Sequence, residues 1–400
     1  MVAFLTSISP VRQGSLLGLL PRVWLMTFGH LVIDSNPALL FALLPVIVTH
    51  LRIDFAHAGA LSALLLVTSS VTQPLFGIFQ DRRPRFPMSS LGLLVAGSAM
   101  AATGFVTTYA QMVALVLVAG IGVAAFHPQA VAQAGQASGG RREWGIAIFF
   151  TGGSTGTAIM AIIIVPLVAT FGLHATSVAL IAAVVAAVLF ARAYSTWIRP
   201  EPRIEGAATA MASMRAVAVP LSMLLAVSIL RSAVLTAYLT FLPTLVVVRT
   251  GSLTLGAAAL AAFLFAGSVG ALLGGAAAHK FGSARVVLVS LVTGLFGLLP
   301  VPWLPTSLLI PWMFIAGTLM FASEAQVTAL AQRLLPAFVG VASSLMMGVG
   351  LGLGNTGALL AGVIADRRGI QVAITATTLL MAGAIAAAVG YMASMRRVAK

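Results

Sequence analysis

The stretch TFGHLVIDSNPALLFALLPVIV, Thr27 to Val48, runs for 22 residues with only a handful of polar side chains. A helix crossing a bilayer needs about 20 mostly apolar residues, whereas a barrel strand is about 10 residues of alternating polarity. Nothing alternates here, so the stretch reads as a membrane-spanning helix. It also carries His30 and Asp34 one helical turn apart, and the cost of placing them in lipid makes them the first candidates for function.

The same reading extends along the chain. Of 400 residues, 60% are hydrophobic and 8% charged, against roughly 25% charged in soluble domains. Runs such as VALIAAVVAAVLFA from Val178 are continuously apolar. Twelve helical spans are expected near 23–49, 58–80, 88–107, 110–134, 144–170, 173–193, 217–247, 255–279, 284–301, 306–331, 338–364 and 371–394. The first apolar run continues past Asp34 without a small-residue cleavage site, so the first span is expected to be retained.

The basic residues test this count. With the N-terminus cytoplasmic, seventeen of the 22 Lys and Arg fall in inner segments, four (Arg52, Arg249, Arg367 and Arg368) in outer ones, and Arg231 inside a span. That bias is the one cytoplasmic loops carry, and an odd number of spans would scramble it. It also accounts for the net charge of +14 without nucleic acid. The expected placement is multi-pass in a cytoplasmic (inner) membrane with both termini cytoplasmic. The chain has no cysteine, which excludes disulfides and thiolate metal sites.

The longest interruption, ARAYSTWIRPEPRIEGAATAMASMR from Ala191, divides the spans six and six. The expected organisation is an N-terminal bundle over 1–193, a cytoplasmic linker over 194–216 and a C-terminal bundle over 217–400. Each half repeats a pattern after its second span: GIFQDRRPR from Gly77 and GAAAHKFGSAR from Gly275.

On these residues the chain resembles the major facilitator superfamily of secondary transporters, whose signature after span two matches Gly77, Asp81 and Arg82. Gly362, Asp366 and Arg367 copy the same spacing at the opposite end. Further stretches resemble the fosmidomycin resistance branch: FGHLVID from Phe28, SSVTQPLFG from Ser69, GVAAFHPQAVAQAGQASGGRR from Gly122, IFFTGG from Ile148, AQRLLP from Ala331 and GVIADRRG from Gly362. The resemblance implies an all-α major facilitator fold of two six-helix bundles that rock about a midplane site. It also implies that spans one, four, seven and ten line a central cavity, and that Gly77, Asp81 and Arg82 form a gating latch. The chain departs from these relatives at Ile33, Gln129, Phe150 and Ser154, where polarity is lost, and at Glu324, where it is gained.

A charge at mid-span costs about 2.5–3.5 kcal/mol on insertion scales, so His30, Asp34, His127, Arg231 and Glu324 are candidates for substrate binding or proton coupling, with Gln129 as a neutral hydrogen bonder beside them. An acid whose paired cation comes and goes changes its affinity for a proton. Asp34 or Glu324 is therefore the expected protonated site, and Arg231 the competing cation or the anchor for an anionic group. The bland reading of Asp34 is a helix-holding pair with His30 or Arg231. Pro37 and Pro128 are expected to break backbone bonds near the pair and near His127, leaving carbonyls for a ligand.

Other motifs fail on context. GGSTG, Gly152 to Gly156, matches a nucleophile elbow but sits inside a span, where small residues serve close packing. GLGNTG, Gly352 to Gly357, lacks the strand and the acidic residue of a dinucleotide site. The 16 methionines show no convincing ligand spacing with histidine, so no metal site and no cofactor is assigned. The sequence thus predicts a monomeric, proton-coupled antiporter that exports a small drug-like or polar organic compound and is not an enzyme. Import or facilitated passage of a metabolite or metal ion is the first alternative. A non-transporting receptor or enzyme is the second, disfavoured because no loop outside the linker is long enough to hold a soluble domain.

Overall fold

In lipid every backbone amide and carbonyl must be satisfied within its own segment, which leaves helices as the solution for runs this apolar. The computed structural model describes residues 21–83, 85–138, 142–194, 214–215, 217–336, 342 and 345–398, and among them every regular element is helical. Twelve helices are long and apolar enough to cross a membrane: Pro21–Leu51, Phe55–Gln80, Met88–Phe105, Tyr109–Ala137, Ile148–Phe171, Leu173–Ala193, Ala218–Thr250, Leu253–Phe281, Ser283–Trp303, Thr306–Leu334, Leu345–Arg368 and Ile370–Arg396. They are called spans 1 to 12 below. The expected linker lies outside the described residues apart from Tyr194, Met214 and Arg215.

Three spans depart from the continuous helices expected, span 12 by a single-residue turn at Leu379 and spans 10 and 11 more widely. Span 10 breaks at Ala322–Ser323, so that Glu324 opens a second helical segment, Glu324–Leu334. Span 11 begins as a π-helix, Leu345–Gly350, and turns again at Asn355–Thr356. Polar residues stand at both of these breaks, Ser323 and Glu324 in span 10 and Asn355 and Thr356 in span 11, but a hydropathy average over a whole span still reads as one crossing.

Spans 1 to 6 pack mainly on one another, as do spans 7 to 12. The halves meet where span 2 lies on span 11, span 5 on span 8 and span 1 on span 7. Spans 2 and 8 stand six apart, as do 5 and 11, so the first two contacts are mates under exchange of the halves. This is the pairing a duplicated six-helix unit would make.

Glycine sets the closest approaches. Gly92 of span 3 and Gly122 of span 4 face each other, and a Cβ on Gly92 would stand 2.6 Å from the Gly122 carbonyl oxygen. In the GGSTG stretch, Gly152 meets Thr27 and Gly156 meets the main chain of Leu31, which makes it a packing face for span 1. Replacing Gly156 by valine should cost about 1–3 kcal/mol through overpacking. Thermal unfolding in detergent checks this, and an unchanged midpoint would mean that the helices part without cost.

Between the halves the approach is tightest at one end. Cβ atoms on Gly59 and Gly362 would run into main-chain atoms of Ala358 and Phe55 across the boundary. There Asp366 of span 11 accepts hydrogen bonds from Phe55 N (2.8 Å, Oδ1) and Ala56 N (2.8 Å, Oδ2). Asp54 accepts the next amide, His57 N, at 2.8 Å, and this bond holds the Asp54 carboxyl below its usual range. The first three amides of span 2, which have no helical acceptor, are thus shared between two carboxylates, one from each half. Deeper in, Asn355 donates to Ser70 Oγ at 3.4 Å. Toward the other end of span 2, Leu75, Ile78 and Phe79 are exposed.

Candidate functional site

The ionisable residues expected at mid-span form two clusters, one in each half. Span 1 supplies His30, buried, and Asp34, whose side chain is 28% exposed. His30 Nε2 stands 3.1 Å from Asp34 Oδ2, and His127 Nε2 of span 4 stands 3.3 Å from Asp34 Oδ1. The two Nε2 atoms are 3.3 Å apart.

The rings are fixed from behind. His30 Nδ1 lies 2.7 Å from Phe149 O and His127 Nδ1 lies 2.8 Å from Val123 O. A carbonyl can only accept, so each Nδ1 carries a hydrogen and each Nε2 is directed at the carboxylate. His30 also stacks on Phe149, with ring centroids 4.1 Å apart, and meets His127 edge-on at 5.1 Å. Gly153 of span 5 closes the cluster on one side: a Cβ there would sit 2.5 Å from Asp34 Oδ2 and 2.7 Å from His30 Nε2.

Pro37 acts differently from expectation. It removes the amide that would bond Ile33 O, but Asn36 Nδ2 donates to both Ile33 O and Val32 O at 3.0 Å. Ser35 Oγ likewise donates to Val32 O at 2.7 Å. The carbonyl left by the proline is filled by the preceding side chain rather than offered to a ligand. Gln129 is fully buried away from the histidines. Its amide oxygen accepts Ser89 N at 2.7 Å and its amide nitrogen donates to Phe86 O at 3.0 Å, tying span 4 to the start of span 3.

The second cluster joins spans 7 and 10. Arg231 is 3% exposed and its Nη2 lies 3.7 Å from Glu324 Oε1, whose side chain is 43% exposed. Arg231 Nε and Nη1 have no hydrogen-bond partner among the described residues. Glu324 gains from its place at the start of a helical segment, where the backbone dipole favours negative charge. Asp34 therefore pairs with two histidines and Arg231 with Glu324, whereas the sequence left Arg231 as a partner for either acid. Gly77 and the backbones of Asp81 and Arg82 end the helix of span 2, and the side chains of Asp81 and Arg82 lie outside the described residues.

Sequence reasoning did not bring His127 to the first pair, because spacing along one helix says nothing of a residue on another. It read Gly153 only as part of a helix-packing stretch, not as a neighbour of Asp34 and His30, and it passed over the bonding of Asp366.

Two bundles of six spans with ionisable groups on spans 1, 4, 7 and 10 define the architecture of a secondary transporter. The sequence model of the Major Facilitator Superfamily matches residues 23–355, and the chain belongs to that family of membrane transporters. It is 26% identical over 360 residues to the fosmidomycin resistance protein of Escherichia coli (strain K12), covering 86% of each chain. It is also 26% identical over 378 residues to the uncharacterized MFS-type transporter YfnC of Bacillus subtilis (strain 168), covering 90% of each. Among solved structures, a bacterial homologue of the human lysosomal transporter Spinster, in an inward-facing and unoccupied conformation, superposes with a TM-score of 0.77. It shares 13% identity, over 93% of this chain and 97% of that one.

Proposed function

We propose that the chain is a proton-coupled exporter of a small polar or drug-like compound, working by alternating access. The observation that carries this reading is the division of labour between the clusters: His30, Asp34 and His127 in one half, Arg231 and Glu324 in the other, all within spans. The first set offers nitrogen and oxygen lone pairs to cargo. The second is the coupling device: a proton on Glu324 removes its attraction for Arg231, and the guanidinium is then free for an anionic group of the cargo. The half-exposed position of Glu324 gives that proton a path, and the two unpartnered nitrogens of Arg231 give the anion a place.

The excess of Lys and Arg at the Gly77–Arg83 end favours placing that end, with both termini, in the cytoplasm of a bacterial inner membrane. The clasp of Asp366 on span 2 would then face outward. The likeness to a drug-resistance protein favours export over import, and Gly77, Asp81 and Arg82 are assigned the inner latch.

Purified protein in proteoliposomes of known orientation tests this. Added cargo should move protons in the opposite direction, and Glu324→Gln should abolish that movement while leaving cargo binding within about threefold. Proton movement retained in Glu324→Gln would remove the coupling role, and movement in the same direction as cargo would make the chain an importer.

A further inference from the structure

The arrangement of His30, Asp34 and His127 leaves a question that proton chemistry answers only in part. Both Nδ1 atoms donate to main-chain carbonyls, so the cluster presents two imidazole Nε2 atoms and a carboxylate to one another at 3.1, 3.3 and 3.3 Å. All three are Lewis bases. One proton on one ring relieves one of these contacts, whereas a cation at the centre relieves all of them at once.

The spacing suits such a cation. Donors bound at about 2.0–2.1 Å in a tetrahedron lie about 3.3 Å from one another, close to the separations observed. The outer environment suits it as well, since histidine ligands of metal sites typically donate their other ring nitrogen to a carbonyl or carboxylate, which fixes tautomer and orientation. Here both rings do so, and His30 is further held by its stack on Phe149. Two imidazoles and one carboxylate favour late first-row divalent ions such as zinc. They do not favour calcium or magnesium, which take oxygen, or copper(I), which takes sulfur.

We infer that His30, Asp34 and His127 form a binding site for a divalent transition-metal ion at the cargo position of the N-terminal half. Three protein donors leave a position free, and Asp34 and His127 keep side-chain exposures of 28% and 19%, so the cluster is not sealed off. Such an ion exchanges, as cargo or a group bound to cargo must; a structural ion would be closed off by a fourth protein ligand. Gly153 belongs to the same design, because any side chain there would occupy the space among the donors. This inference rests on the cluster being the cargo site of the proposed transporter.

The test titrates zinc alone into the full-length protein in detergent, followed by calorimetry, with cobalt(II) as a spectroscopic probe. One equivalent should bind, magnesium should give no comparable signal, and His127→Ala and Asp34→Asn should each weaken zinc at least 100-fold and remove the visible band of cobalt. Gly153→Ala keeps every donor and should also weaken binding at least tenfold, and thermal unfolding of each variant beside the titration separates loss of the site from loss of the fold. Absence of saturable zinc binding in the parent, or binding unchanged in His127→Ala and Asp34→Asn, overturns the metal site. If that occurs while Glu324→Gln still loses proton movement, the transport reading stands without the metal; if zinc binds while Glu324→Gln stays coupled, it is the coupling that falls.

Discussion

Replacing Asp366 by alanine should open the end of the molecule at which spans 2 and 11 meet. The carboxylate takes the amides of Phe55 and Ala56 at 2.8 Å each, and it does so across the boundary between the halves. Asp366 is exposed, and a charged cap at an exposed helix start contributes about 1 kcal/mol. Because this cap exists only while the halves are together at that end, its loss acts on the balance between conformations rather than on the fold of either half. The expected shift in population is roughly fivefold toward the state open at that end. Spin labels on cysteines placed at Arg52 and Gln371 would read the change as a longer distance, and the absence of native cysteine makes such labelling clean. An unchanged distance distribution would mean that the Gly59 and Gly362 packing alone holds the end closed.

The second large effect concerns Arg231. Its guanidinium is almost entirely buried, and Glu324 at 3.7 Å is its one ion-pair partner among the described residues. Removing one member of a buried pair leaves a charge without compensation, which costs 3–5 kcal/mol in general. Glu324 is partly exposed, so the expected cost of Glu324→Ala is about 3 kcal/mol, at the low end of that range. Glu324→Gln keeps an oxygen acceptor and should cost about 1 kcal/mol. Replacing both residues together, Arg231→Met with Glu324→Leu, should restore most of the loss, because apolar residues of similar volume carry no desolvation penalty. Thermal unfolding of the four proteins in one detergent gives the comparison. A double variant as unstable as Glu324→Ala would show that Arg231 has a role in the fold beyond this pair.

The two residues differ in how far the sequence revealed them. Arg231 and Glu324 stand out in any apolar run because of what a charge costs in lipid, but nothing in the run says that they meet. Their pairing depends on how spans 7 and 10 cross and on a break at Ala322–Ser323 that turns Glu324 to the start of a segment. His30 and Asp34 were legible as a pair because four residues on a helix is one turn, a local fact. His127 joined them only through tertiary packing. Gln129, beside it in sequence, turned instead to Ser89 and Phe86, since neighbours on a helix point in different directions.

The fold was more readable than the site for a related reason. Bilayer thickness and the need to satisfy every backbone group impose a length and a periodicity on each span, and loop charge imposes alternation on the series. These constraints act on composition and leave a mark wherever they operate. The cap made by Asp366 lacks such a mark. Its spacing from Gly362 duplicates a signature found elsewhere in the chain, and only the packing of span 11 on span 2 gives the carboxylate its partners.

The bonding of Asn36 to Val32 and Ile33 has a consequence for the whole cycle. A proline in mid-membrane normally leaves a soft point that hydrates or bends when its surroundings change, yet here the gap is mended from within the same turn. The stretch that carries the histidine and the acid is therefore stiff, and it holds their separation fixed. In the transporter proposed above, cargo would then meet a seat already shaped for it, and the work of moving would fall on the joints between bundles.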